Sequence, residues 1–198
     1  YVAAAKAVIE GHKINKEFQI GCMIWGSCSY PYTCNPKDII QNMEFWQEHI
    51  YYTLDVMVRG KYPSFAERVW NTLDSKLDIT NNDLNILHKG KADFLSFSYY
   101  CSVVQTSDDT IPHDAMGNLH LGPKNKYLEY SDWGWSLDPE GLRYFLNELY
   151  GRYNIPIMIV ENGLGAKDVL EEDGTVHDPY RIEYLKKHLS AIEQALDD

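Results

Sequence analysis

An α/β architecture is the fold class this 198-residue sequence predicts. Three short runs, FQIGCMIW (Phe18 to Trp25), ADFLSFSYY (Ala92 to Tyr100) and IPIMIVEN (Ile155 to Asn162), are largely apolar on both faces and bounded by turn signals. Such runs suit buried parallel strands better than half-exposed antiparallel ones. Helical patterns alternate with them, and helices alternating with parallel-type strands define the class.

The elements follow in order. YVAAAKAVIEGHK, at the start, reads as the middle of an amphipathic helix. After the first strand, residues Pro36 to Arg59 form a long helical pattern, with Asn35 as N-cap and Pro36 at the first position. TNNDLNILHKG is a shorter one that Thr80 caps and Gly90 ends. Beyond the second strand, Cys101 to Leu137 reads as a long loop rich in Gly, Asp and Asn, with Trp133 and Trp135 near its end. DPEGLRYFLNELYGRYN then opens with Asp138 and Pro139, a cap followed by proline, and Gly151 is the candidate C-cap. After the third strand, DPYRIEYLKKHLSAIEQALDD repeats that opening with Asp178 and Pro179 and carries apolar residues at Ile182, Leu185, Leu189 and Ile192. The end falls within this helical pattern and no initiator methionine is present, so the sequence is expected to be a piece of a longer protein.

Composition bounds the function. With 44% hydrophobic and 13% aromatic residues, the chain has material for a packed core, and residues 1–198 are read as one domain. A net charge of -11 argues against nucleic acid, whose phosphates would be repelled, and against anionic membrane surfaces. No apolar run approaches the length of a membrane span, and no signal peptide pattern is present. A cytoplasmic location is expected. Cys22, Cys28, Cys34 and Cys101 match neither paired zinc-ligand spacing nor a dense disulfide framework, so they read as reduced, structural thiols. His12, His49, His88 and His188 lie in or near helical patterns, and His113, His120 and His177 in loops without metal spacing. Neither metal nor cofactor is expected.

The residue that stands out is Glu161. A carboxylate buried unpaired in an apolar strand costs several kcal/mol. Either Glu161 marks where the strand emerges into water, or the fold holds a carboxylate at a strand's carboxyl end. Ser98, Tyr99 and Tyr100 end the second strand and would point into the same mouth. A tyrosine hydroxyl donating to a carboxylate favours the ionised form and fixes its geometry, as a nucleophilic carboxylate requires. Indole faces in the loop above supply flat platforms of the kind sugar rings use. Long loops at the carboxyl ends of parallel strands are where α/β folds build their sites.

These residues carry a resemblance. IMIVENGLG resembles the I-x-x-T/V-E-N-G signature of family-one glycoside hydrolases, the β-glucosidase family. SDWGWSLDPEGLRYFL is similar to the family's GW-x-x-x-PEGL segment, DFLSFSYY to its DF-x-G-x-NYY strand, LDVMVRGKYP to its D-x-x-x-x-G-x-YP helix end, and DPYRIEYLKKHL to the segment after the signature strand. The resemblance covers nearly the whole chain in the family's order. It implies a partial (β/α)8 TIM barrel, roughly strands five to seven with their helices, lacking the N-terminal barrel half and the last strand. It also implies hydrolysis of β-glycosides with retention. Glu161 falls on the nucleophile, Tyr100 on the residue that hydrogen-bonds it, and Trp133 on the aglycone-side platform. Ser98 departs from the family's asparagine and Ser96 from its glycine. SFSYY, YPYTCNPKDI and SDWGW look most like bacterial 6-phospho-β-glucosidases, so the implied partner is a small phosphorylated β-glucoside.

Retention needs two carboxyl groups about 5 Å apart. The family places the second in an N-E-P motif, which occurs nowhere in this sequence. The 198 residues alone are therefore expected to be inactive, and, with open apolar strand edges, to self-associate. Two alternatives are a β-glucosidase of unphosphorylated substrates and a non-catalytic sugar-binding or scaffold domain. The intact Glu161-Asn162-Gly163 and Tyr100 weigh against the latter.

Overall fold

The structure, a computed structural model, describes residues 1–73, 76–115 and 122–198. His120 lies outside them. In chain order the elements are α1 (Val2–Ile14), β1 (Gly21–Gly26), β2 (Ser29–Pro31) and α2 (Pro36–Phe45), then a π-helical segment (Trp46–Tyr51) and α3 (Tyr52–Arg59). There follow α4 (Ala66–Trp70), α5 (Asn81–Lys89), β3 (Phe94–Tyr99), β4 (Val103–Gln105), β5 (Glu129–Tyr130) and β6 (Ser136–Leu137). The last are α6 (Pro139–Tyr153), β7 (Ile157–Asn162) and α7 (Pro179–Asp197).

The three strands expected from the sequence form one parallel sheet in the order β1-β3-β7. Connections read as loop hold two small pairs, parallel β2-β4 and antiparallel β5-β6. The first strand begins at Gly21 rather than Phe18. The chain turns there, with Phe18 N–H donating to the Asn15 carbonyl at 3.2 Å, and the ladder starts at Gly21 opposite Phe94.

Helix starts follow the cap chemistry. Asn35 Oδ1 accepts from Lys37 N–H at 3.1 Å, and Thr80 and Asp83 form a reciprocal capping box. Asp138 Oδ1 accepts from Gly141 N–H at 2.8 Å. Asp178 occupies the N-cap of α7, but its side chain turns to Arg181 at 3.1 Å instead of capping. Gly151 does not end α6. That helix runs on to Tyr153, and Asn154 terminates it in the left-handed region at φ 51°, a conformation asparagine tolerates better than most residues.

The core lies between the sheet and its helices, where Leu95, Phe97 and Tyr99 pack with Ile50, Leu54, Leu142, Phe145 and Leu149. Phe97 and Phe145 meet edge to face with centroids 4.9 Å apart. The edge strands β1 and β7 are covered on this face only, whereas the central β3 is buried on both faces, Ser96 and Ser98 included. On β1, Cys22 and Ile24 are buried while Met23 is 51% exposed and Trp25 37%. On β7, Met158 and Val160 are likewise exposed. Both-face burial, the expectation for all three strands, holds for β3. On β1 and β7 the residues that alternate away from the helices instead form the open inner face of a barrel arc. Similarly, α7 packs through Tyr184, His188 and Ala191, with Ile192 partly buried, so Ile182, Leu185 and Leu189 stand exposed. Cys22, Cys28 and Cys101 are buried, and Cys34 is exposed.

Two polar networks tie the layers. Near the amino ends of the strands, buried Asp55 accepts from Arg152 at 2.7 Å and from Tyr153 Oη at 2.9 Å, joining α3 to α6. Near their carboxyl ends, buried Asp138 accepts from Tyr30 Oη at 3.0 Å, and its carbonyl accepts from Tyr99 Oη at 2.9 Å. Asp138→Ala removes a cap worth about 1 kcal/mol and orphans a partly buried hydroxyl at about 1–3 kcal/mol. A loss of about 2–4 kcal/mol in urea unfolding is therefore expected. An alanine variant as stable as the parent would show that neither bond contributes.

Candidate active site

Glu161 owes its direction to a register shift. Along β3 and β7, Ser96 faces Met158 and Phe97 faces Ile159, but Ser98 faces Glu161, leaving Val160 as an extra residue. An unbroken ladder would set Glu161 opposite Tyr99, in the apolar layer beneath the helices. A one-residue bulge reverses the alternation and re-aims the side chain. Glu161 therefore joins Ser98 and Trp25, which face each other across β1 and β3, in the open inner layer. The apolar run that precedes it stays in the strand, and the carboxylate escapes burial.

There Tyr100 Oη donates to Glu161 Oε2. That bond first, and the nearby Ser98 hydroxyl second, hold the Glu161 carboxyl below the usual carboxylate range. Ser98 acts as a neighbouring dipole, because its buried Oγ has no partner at hydrogen-bonding geometry. The same bond to Glu161 raises the Tyr100 phenol, with partial burial second. Both shifts point one way: the phenol keeps its proton and the carboxylate its charge. Among the described residues, no second carboxylate is one of the groups acting on Glu161.

Tyr99 was expected in the same mouth. It lies instead in the helix layer, fully buried, as strand alternation between Ser98 and Tyr100 requires. Trp133 stands 49% exposed and edge-on to Trp135, with centroids 6.0 Å apart. Trp135 in turn lies 5.5 Å from the Tyr100 ring, so an aromatic wall runs from Tyr100 outward to Trp133. The sequence marked Trp135 as a loop residue without giving it a place at the site. Gly165, in the segment after β7, backs the wall: a Cβ there would stand 2.3 Å from Trp133 Cε3. Trp25, beside Ser98 in this layer, was not singled out, because it sat inside an apolar run; Asn162 was read only as part of the signature and its turn.

The family description of glycosyl hydrolase family 1 matches residues 1–198. The chain belongs to glycosyl hydrolase family 1. It is 46% identical to the aryl-phospho-beta-D-glucosidase BglA of Bacillus subtilis (strain 168), covering 98% of this chain and 41% of that protein. It is 46% identical to the 6-phospho-beta-glucosidase of Clostridium longisporum, covering 100% of this chain and 42% of that protein. Among solved structures, the family 1 β-glucosidase of Thermotoga maritima superposes with a TM-score of 0.79 at 26% identity, covering 98% of this chain and 42% of that one. The psychrophilic β-glucosidase BglU of Micrococcus antarcticus gives 0.84 at 27%, covering 100% and 45%. The chain thus spans about two fifths of the length of the relatives it matches, and the three-stranded sheet of this family 1 chain is part of a TIM barrel.

The hydroxyl–carboxylate pair makes a prediction that needs no turnover. A carbon-13 titration of the Glu161 carboxylate gives a midpoint below the ordinary glutamate value. In Tyr100→Phe that midpoint rises, because the group favouring the charged form is gone. An unmoved midpoint would mean that Tyr100 does not act on Glu161.

Proposed function

We propose that this family 1 chain is part of a retaining hydrolase of small β-glucosides, with preference for those phosphorylated at carbon six. The observation that carries the reading is Glu161, aimed into the inner layer by the bulge and held ionised by Tyr100. As a carboxylate it attacks the anomeric carbon and displaces the aglycone oxygen. Water then hydrolyses the glycosyl ester, so the configuration is retained. Tyr100 orients the attacking oxygen. Trp133 offers an indole face on the aglycone side, and Ser98, in register beside Glu161, is assigned to the sugar-binding layer. The preference for the phosphate draws support from relatives named as 6-phospho-β-glucosidases. Phosphorylated glucosides are substrates met inside the cell, and the reading places the protein in the cytoplasm. Among the described residues, no helix is long and apolar enough to cross a membrane.

The general acid of this mechanism is a second carboxyl group, and with no N-E-P in the sequence these 198 residues do not supply it. General acid help is worth about 10²- to 10⁴-fold. As a single partial-barrel unit, the chain alone leaves Met23 and Met158 of its inner face open, and it self-associates through that face or its strand edges.

Three measurements follow. In the full-length protein, a 2-deoxy-2-fluoro glucoside 6-phosphate with a good leaving group labels a peptide containing Glu161, and Glu161→Gln abolishes labelling. A label elsewhere would remove Glu161 from its role. The kcat/KM for a chromogenic glucoside 6-phosphate exceeds that for the unphosphorylated compound; the reverse order would make the protein an ordinary β-glucosidase. The 198-residue chain by itself sediments above monomer mass and leaves cellobiose 6-phosphate intact. A monomer that cleaves it would show that an acid had been overlooked.

A further inference from the structure

We propose that Tyr184, on the outer helix α7, is a positioning residue that sets the distance between Tyr100 and Glu161. The parallel ladder between β3 and β7 ends at Tyr99 opposite Asn162, so Tyr100 lies one residue beyond the last paired position. Backbone pairing therefore fixes Glu161 but leaves the residue that donates to it unpaired. The buried Tyr184 hydroxyl fills that gap. It donates to the Tyr100 carbonyl at 2.9 Å and accepts from Asn162 Nδ2 at 3.2 Å. Asn162 Nδ2 also donates to the Tyr99 carbonyl at 2.9 Å. One hydroxyl thus joins the backbone of the residue carrying the donor to the side chain of the residue that follows the carboxylate.

The phenol is itself held in place. Its ring stacks on the His188 imidazole with centroids 3.8 Å apart and planes 27° from parallel. His188 Nδ1 lies 2.8 Å from the Tyr184 carbonyl, one helical turn back, and the ring is buried. Tyr184 stands on the helix side of the sheet, away from the open inner layer, so it touches no substrate. Its action on the reaction runs through Tyr100. Hydrogen bonds weaken steeply with misalignment, so a small drift of Tyr100 loosens its hold on Glu161.

This inference rests on the reading of Tyr100 and Glu161 as a working pair, and its test separates the two. The groups acting on Glu161 are the Tyr100 and Ser98 hydroxyls. Around Tyr184 the titratable groups are His188, Tyr99, Cys101 and Asp138, the last two acting at a distance. Burial lowers the His188 pKa and favours the neutral ring. The acidic limb of kcat/KM in the free enzyme therefore reports Glu161. In the full-length protein, Tyr184→Phe keeps the ring stack and removes only the hydroxyl. The expected result is a fall in kcat of about tenfold with KM nearly unchanged. The acidic limb moves to higher pH, in the direction of Tyr100→Phe but less far. If the limb moves in Tyr100→Phe and not in Tyr184→Phe, the positioning role is overturned while the pair stands, whatever happens to kcat. If it moves in neither, the pair falls and the inference with it. Should Tyr184→Phe fail to fold, Asn162→Ala cuts the same bridge from the strand side and is read the same way.

Discussion

The site depends on one misfit in a ladder. A strand that is apolar enough to stay in the sheet has no natural place for a carboxylate, and simple alternation would drive Glu161 toward Phe97, Tyr99 and Phe145. The extra residue at Val160 resolves this by letting the sheet keep its pairing while the last side chains change sides. What lies beyond the bulge follows from it. Ser98 can lie beside Glu161 only in that register, Tyr100 can reach the carboxylate only from the same layer, and Asn162 comes opposite Tyr99 where its amide reaches the Tyr99 carbonyl.

The group that keeps Glu161 ionised is neutral. An arginine or lysine in place of Tyr100 would lower the carboxyl further, but it would also form an ion pair with Glu161 and, in the proposed reaction, compete with the anomeric carbon for its oxygen. A phenol donates one hydrogen bond and leaves the charge uncompensated. That arrangement suits a carboxylate that must form a bond. Cationic partners are used elsewhere, where the task is structural. Asp55 meets Arg152 and Arg59, while Asp168 meets Arg181.

The three strands, their parallel direction and most helix caps were legible because their causes are local: apolar runs, turn residues, and Asn35, Thr80 and Asp138 at the right offsets. The contact between Tyr100 and Glu161 was legible through the motifs they stand in. What was not legible depends on relations between distant segments. Gly151 looks like a helix stop, yet the stop lies at Asn154, where the chain must turn toward β7. The stripe Ile182, Leu185 and Leu189 looks like the buried side of α7. The side that packs is chosen by the hydroxyl of Tyr184 and the stack on His188, and apolar periodicity does not register aromatic residues with polar ends. Tyr99 and Tyr100 are indistinguishable in the string; only the sheet gives one to the core and the other to the mouth.

Among the described residues, the buried side-chain polar atoms without a protein partner are Ser98 Oγ and Trp135 Nε1 near the carboxylate and, elsewhere, Ser29 Oγ, Asn42 Oδ1 and His188 Nε2. Other buried hydroxyls are matched: Ser96 Oγ donates to the Cys22 carbonyl, Ser27 Oγ to the Cys101 carbonyl, and Ser136 Oγ to the Ser102 carbonyl. A buried polar group left unmade costs about 1–3 kcal/mol. Ser98 flanks Glu161 in register, and Trp135 packs against the Tyr100 ring. Both atoms are shut off from solvent, so their unmet hydrogen bonds are a local cost carried beside the pair to which the proposed chemistry is assigned, not contacts offered to a ligand.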